Sequence, residues 1–383
     1  MDSPFPESSS APGEGRIVAR LLPNGQPGFE SITYQYPLKL ISPSLTAGEK
    51  SALVFLLSYG GGLVGGDHVH LEILVRPDAR LSIVTQGHTK IFKAASKTIV
   101  TRQALRARIG ARAGLCLLPD PVQPFDDSVY EQTQLFTLAP TASLCLLDWV
   151  TQGRSARGED WGFARWKGRN EIWLGGDDGD ADETPASGAA RLLVRDTGRS
   201  ARGENWGFAR WKGRNEIWLG GDDGDGDGGE THAAGAARLL VRDTVVLDER
   251  TSALTGRPLR GSMHGHGVFG SLLLRGPQMQ RLGEFFLAEF GRLPRLGARD
   301  FRTVEAREKE ETDRSAEDSW RLQRLAMEKQ HAVLWSAASV RGCVVVKFGA
   351  ATVEGGRVWI AHMLSREGSI TELYGDQAMI CLR

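Results

Sequence analysis

The sequence predicts a mainly β, layered fold with two to three α-helices confined to its C-terminal part. Three observations carry the prediction. Glycine is the compositional outlier, 47 of 383 residues, or about 12% against a usual ~7%, and so many glycines imply many turns. From residue 16 to about 137 the chain is a string of short apolar or alternating runs cut by Gly, Pro and Asp, the pattern of short strands joined by turns. Helical periodicity begins only at Pro277.

Taken in order, residues 1–15 lack both the basic residues and the apolar core of a signal peptide and read as a disordered leader. The runs SALVFLLS (51–58), VHLEILV (69–75), LSIVT (81–85) and LCLL (115–118) read as strands, continued by VVL (245–247) and SLLL (271–274). Beyond Pro277, Met279, Leu282, Phe286 and Phe290 recur at helical spacing until Gly291. Residues 299–318 hold 13 charged residues of both signs and no apolar stripe, which reads as a solvated insertion. A second helix is expected from near Ser315 through Trp320, Leu322, Leu325 and Met327. A strand, CVVVKF (343–348), and a short helix over 358–364 close the chain.

Charge excludes some functions. The 47 basic residues balance 47 acidic ones, whereas a nucleic-acid binder or a polybasic membrane-surface protein carries a basic excess. No apolar stretch approaches the roughly 18 residues that cross a bilayer. Cys116, Cys145, Cys343 and Cys381 are widely spaced without a CxxC pair, as expected of reduced thiols in a cytoplasmic protein.

Self-comparison finds one internal repeat: 153–197 recurs almost verbatim as 198–244, with four differences in 45 aligned positions and two extra residues in the second copy. Solenoids need three or more units that diverge outside their packing positions. Two copies that match even at loop positions point instead to a recent tandem duplication or a gene-model error. Within a copy the pattern suggests a hairpin, WGFARW (161–166) and EIWL (171–174) about a turn at KGRN (167–170), with a further strand beginning near Ala190. One copy is expected to be extruded, or a hybrid of the two to fill the sheet. Allowing for leader and duplicate, a single domain over 16–383 is expected in place of the two that length alone suggests.

Several strings invite a chemical reading. GGGLVGGD (60–67) satisfies the dinucleotide-binding glycine pattern, but clean alternation follows it where a helix is required. The glycines therefore serve a tight turn or a close backbone approach. The alternation places His68, His70 and Glu72 on one strand face with Asp67 at its start, a ligand set suited to nickel or zinc, although spacing alone favours a solvated polar face. His264 and His266 form a second such pair. Asp223, Asp225 and Asp227 begin like a calcium loop, but Ala234 stands where the bidentate Glu belongs. No nucleophile elbow and no Walker A string is present.

Five strings together identify a family. YPLKL (36–40), GGGLVGGD, TQGHTKIFK (85–93), LPDPVQPF (118–125) and DWVTQGRSARGE (148–159), with RDT at 242–244, closely resemble the urease accessory protein UreD (UreH) family over roughly 16–290. The length and the charged insertion are similar to its longer, fungal-type branch. The resemblance implies a β-helix-like stack of many short strands, and no catalytic activity. It implies a scaffold that binds urease apoprotein and, with UreF and the GTPase UreG, delivers nickel, with no tightly bound cofactor and nickel only in transit. Asp67 becomes a candidate lining of a nickel path, with His68 and His70 as less specific neighbours. Thr85, Gln86, Lys90, Asp148, Arg154 and Glu159 are the other polar positions within the matching strings, each a path residue or a hydrogen-bonded support. A stand-alone nickel-storage protein is the alternative.

Overall fold

The computed structural model describes residues 11–44, 48–175, 238–248, 258–293 and 315–383. Their seventeen strands form two sheets. The first runs β14 (Arg238–Asp248), β13 (Arg165–Leu174), β11 (Val129–Leu138), β8 (Thr101–Ile109), β5 (His68–Val75), β1 (Glu14–Leu21), β2 (Pro27–Tyr34). The second runs β16 (Leu334–Val340), β17 (Cys343–Ala350), β15 (Val268–Arg275), β12 (Ser143–Thr151), β9 (Gly114–Leu117), β6 (Arg80–Val84), β4 (Ala52–Ser58), β3 (Leu38–Ile41). The short strands β7 (Thr89–Ile91) and β10 (Val122–Pro124) attach beside β12.

Between β4 and β13 the chain passes alternately from one sheet to the other, and each pass adds a parallel strand: β5, β8, β11 and β13 on one side, β4, β6, β9 and β12 on the other. This coiling is the β-helix-like stack that the resemblance implies. The sequence dictates it because the connecting turns are short and the strands apolar. In β12, Leu144, Leu146 and Val150 point into the core between the sheets, while Cys145, Leu147 and Trp149 point into a second core under the helices. A strand buried on both faces reads as one continuous apolar run.

The helices are α1 (Leu259–Ser262), α2 (Gln280–Gly291), α3 (Ala316–Gln330), α4 (Val353–Glu367) and α5 (Ser369–Tyr374). All but the first, whose Leu259 packs against the core between the sheets, lie on the outer face of the second sheet. Ser315 caps α3, its hydroxyl accepting from the Asp318 amide at 3.1 Å. Residues 315–318 of the charged stretch are thus the cap and first turn of α3, and 299–314 lie outside the described residues. The helix expected over 358–364 is longer, extending over Val353–Glu367, and it does not close the chain, since α5 follows it. No helix among the described residues is long and apolar enough to cross a membrane.

Three expectations need correction or bounding. First, 165–174 is one unbroken strand paired along its whole length with β11, and the expected turn at 167–170 does not exist. Gly168 was the misleading residue: a Cβ there would lie 2.5 Å from the Trp166 ring, so glycine makes room for an indole instead of bending the chain. Second, β1 opens at Glu14, inside the stretch read as leader, and residues 1–10 lie outside the described residues. Third, β13 belongs to the first repeat copy and its neighbour β14 begins in the second, the two pairing antiparallel from Arg165–Asp248 to Leu174–Arg238. The intervening 176–237, which include the strand expected near Ala190, the acidic tracts and any extruded copy, lie outside the described residues.

Candidate functional site

The core between the sheets is apolar except along one seam. On β11 every second residue points inward: Tyr130, Gln132, Gln134 and Phe136. Register sets Gln132 beside Gln103 of β8 and Gln134 beside Asn170 of β13, and Asn170 beside Asp243 of β14. The facing sheet offers a matching row, Asp148 of β12, Ser271 of β15 and Lys347 of β17, which are direct cross-strand neighbours.

Asp148 joins the two sheets. Gln132 Nε2 donates to its Oδ1 at 3.0 Å, and Asn170 Nδ2 donates to its Oδ2 at 2.7 Å. Gln134 Nε2 in turn donates to Asn170 Oδ1 at 3.0 Å. The Tyr130 hydroxyl lies 3.1 Å from Gln132 Oε1 and 3.2 Å from Gln103 Oε1, so its single proton can serve either. Burial pushes the Asp148 carboxyl up to about 6, the Asp243 charge adds to this, and the two amide donors oppose it. Asp148 lies deep between the sheets, yet it remains partly exposed. Further along, Asp243 accepts from Ser271 Oγ at 3.0 Å and from Lys347 Nζ at 2.8 Å. The seam thus runs from half-buried Gln103 to half-buried Lys347 through two interior carboxylates.

The other sequence-predicted residues are dispersed. The Asp67 carboxylate accepts from the Val64 amide at 2.8 Å and closes the turn that carries the glycine string. A strand, β5, follows that turn as the alternation predicts. His68 and His70 lie on the outer face of β5, away from the seam. Arg102 Nη1 lies 3.2 Å from His68 Nε2, and His70 faces Glu72 at 3.5 Å. His266 Nδ1 lies 3.0 Å from the Met263 carbonyl. Among the described residues no three His, Cys, Asp or Glu side chains come together as a metal site.

Thr85 and Gln86 line a cleft of about 580 Å³ with His88, Asp120, Arg357 and Cys381. The Thr85 hydroxyl donates to Asp120 Oδ2 at 3.1 Å, and the Gly87 amide donates there at 2.9 Å. Burial lowers the His88 pKa. Lys90, on β7, is exposed. Arg154 and Glu159 close a turn on themselves: the Arg154 amide donates to Glu159 Oε2 at 2.7 Å and its guanidinium grips Oε1. That guanidinium also covers the Phe125 ring at 3.8 Å. Gly153 is required there, at φ +111° with no room for a Cβ beside Glu159.

Of the predicted residues, then, Asp148 alone lies in the seam. Sequence reasoning missed Gln132, Gln134, Asn170, Asp243, Ser271 and Lys347. One signal could have found two of them: glutamines at 132 and 134 occupy the inward phase of a strand whose other inward residues are Tyr130, Phe136 and Leu138.

A coiled two-sheet scaffold with helices on one side and a polar interior seam defines a protein of the binding or assembly class. The sequence matches the family described as UreD urease accessory protein over residues 12–195 and again over 186–379, and the chain belongs to that family. The family is one of accessory proteins, not of catalysts. The chain is 42% identical over 163 residues to a urease accessory protein ureD-like of Schizosaccharomyces pombe, covering 42% of this chain and 53% of that one. It is 38% identical over 187 residues to urease accessory protein 4 of Cryptococcus neoformans, covering 43% and 57%. To urease accessory protein D of Arabidopsis thaliana it is 37% identical over 162 residues, covering 42% and 54%. The chain spans about half the length of these relatives.

Proposed function

We propose that this protein acts in urease maturation as a non-catalytic scaffold that passes nickel through the seam between its sheets. One observation carries the reading. In a core of apolar side chains, Asp148 and Asp243 are held inward on facing sheets by amides, a hydroxyl and an ammonium, and Asp148 remains partly exposed.

A carrier must release its cargo, so it needs weak oxygen ligands spaced along a path instead of a closed cage. Carboxylates and amide carbonyls strip part of the ion's water and leave the rest. Asp148 suits this role because among the described residues it has no cationic partner of its own, so a passing dication supplies the charge its site is missing. UreF, UreG and the urease apoprotein are the partners this reading requires. The storage alternative needs a tight ligand cluster, and no observation favours it.

Asp148→Asn tests the reading, since it keeps shape and removes charge. The expected outcome is normal co-purification with UreF and urease but a tenfold or greater loss of nickel found in the recovered urease, about 1.4 kcal/mol of lost stabilisation along the path. Nickel incorporation at the wild-type level would sink it.

A further inference from the structure

Besides Asp148, for which no ion pair is seen among the described residues, six buried carboxylates differ in the cation that holds them. Five are held by arginine: Asp120 by Arg357, Glu159 by Arg154, Glu171 by Arg242, Glu328 by Arg324, and Glu289 by Arg321 and Arg324. Asp243 alone is held by a lysine, Lys347. The difference is chemical. A guanidinium is a rigid fork that grips a carboxylate in a fixed geometry, whereas an ammonium is a compact, strongly hydrated charge on a flexible stem. Arginine suits a permanent pair and lysine suits one that has to part.

Position supports the same view. Asp243 is fixed, 3% exposed and also held by Ser271, whereas the Lys347 side chain is 29% exposed. Lys347 reaches from β17 across the gap to β14, the edge strand of the first sheet. Its stem can withdraw to water without disturbing the strands. A bare carboxylate in that interior would be costly, so an empty seam needs a resident positive charge.

We propose that Lys347 is the resting counter-ion of the seam, neutralising Asp243 while no cargo is present and moving out to solvent when a divalent cation takes its place. The exchange leaves one surplus positive charge, which faces Asp148 across the gap. The proposal rests on the conduit reading above. It adds that cations passing Asp243 exchange with a built-in ammonium, so that Asp243 faces a positive charge in both states.

The test uses the full chain and Ni²⁺, with binding followed by equilibrium dialysis and transfer to urease measured separately. In Lys347→Met the ion no longer displaces a charge-assisted bond of about 1.4 kcal/mol, so Ni²⁺ affinity should rise about tenfold. Lys347→Arg keeps the charge and the fold but replaces a loose partner by a gripping one, so both binding and transfer should fall severalfold. Should Lys347→Met fail to fold, the arginine variant decides alone. Wild-type nickel binding and transfer in Lys347→Arg would overturn the proposal, as would an unchanged or weaker affinity in a folded Lys347→Met. If Asp148→Asn abolishes transfer while the lysine variants behave as wild type, only the counter-ion role fails. If Asp148→Asn also leaves transfer intact, the conduit itself is wrong.

Discussion

Asp148 shows how little of a functional residue's setting is written near it. Its neighbours in sequence, Leu147 and Trp149, pack under the helices, while its own partners come from positions 132 and 170 on the opposite sheet. Its membership in the family strings was legible; its pairing was not, because register between strands is fixed by the whole coil. Arg154 and Glu159 were equally visible as a motif, yet they hold a turn, and the string alone could not separate the two roles. The setting has a measurable consequence. The folded pKa of Asp148 is about 6, above the 3.8 of an unperturbed side chain, so the folded state binds more protons than the unfolded one between these values. Stability therefore falls as pH rises from about 4 to about 6 and is flat beyond, by at most about 3 kcal/mol from this group. Urea midpoints of wild type and Asp148→Asn, compared from pH 4 to 7, should diverge in favour of the variant across that window. Parallel curves would refute the enclosed, amide-held state assigned to this carboxylate.

Among elements, those with a clean period were legible and those whose conformation depends on a distant neighbour were not. The alternation of β5 and the periodicity of α2 hold because one face of each is buried. β13 was misread because its glycine answers to an indole two residues away and its strand is imposed by β11. The helical layer contains a different kind of hidden order. Arg324 is fully buried between α2 and α3, donating to Glu328 at 2.7 Å and lying 3.4 Å from Glu289. Glu328 also accepts from the indole nitrogens of Trp335 and Trp359 at 2.8 and 3.1 Å. Removing one member of such a set strands the others. Arg324→Met should cost about 3 kcal/mol in chemical denaturation, and a loss below about 1 kcal/mol would mean that this cluster is not a single unit.

For the molecule as a whole, the repeat offers the most direct test of what the sheet requires. Deleting 198–244 leaves RLLVRDT (191–197) joined to Val245, so the sequences of both β13 and β14 are restored unchanged. The connection between them shortens from about 62 residues to about 15, which lowers the closure cost by about 1 kcal/mol. The shortened protein should keep the same sheet content by circular dichroism, unfold at an equal or slightly higher denaturant concentration, and still support urease activation. Loss of folding would show that the second copy is a structural part of the coil.

β13 and β14 also separate two influences that are normally entangled. For β13 the chain carries two identical candidate sequences, 165–174 and 210–219, so propensity, pattern and side-chain fit cannot choose between them; for β14 the candidates agree only over RLLVRDT, and the second alone runs on into VVLD where the first runs into GRSA. The sheet takes from the first copy the strand that continues from Asp148 and Trp149, and from the second copy the strand that continues into Val245 and Val246. What differs between the two candidates for β13 is only the tether. The choice of β13 is therefore a matter of connectivity, decided by which copy is already attached to a placed neighbour.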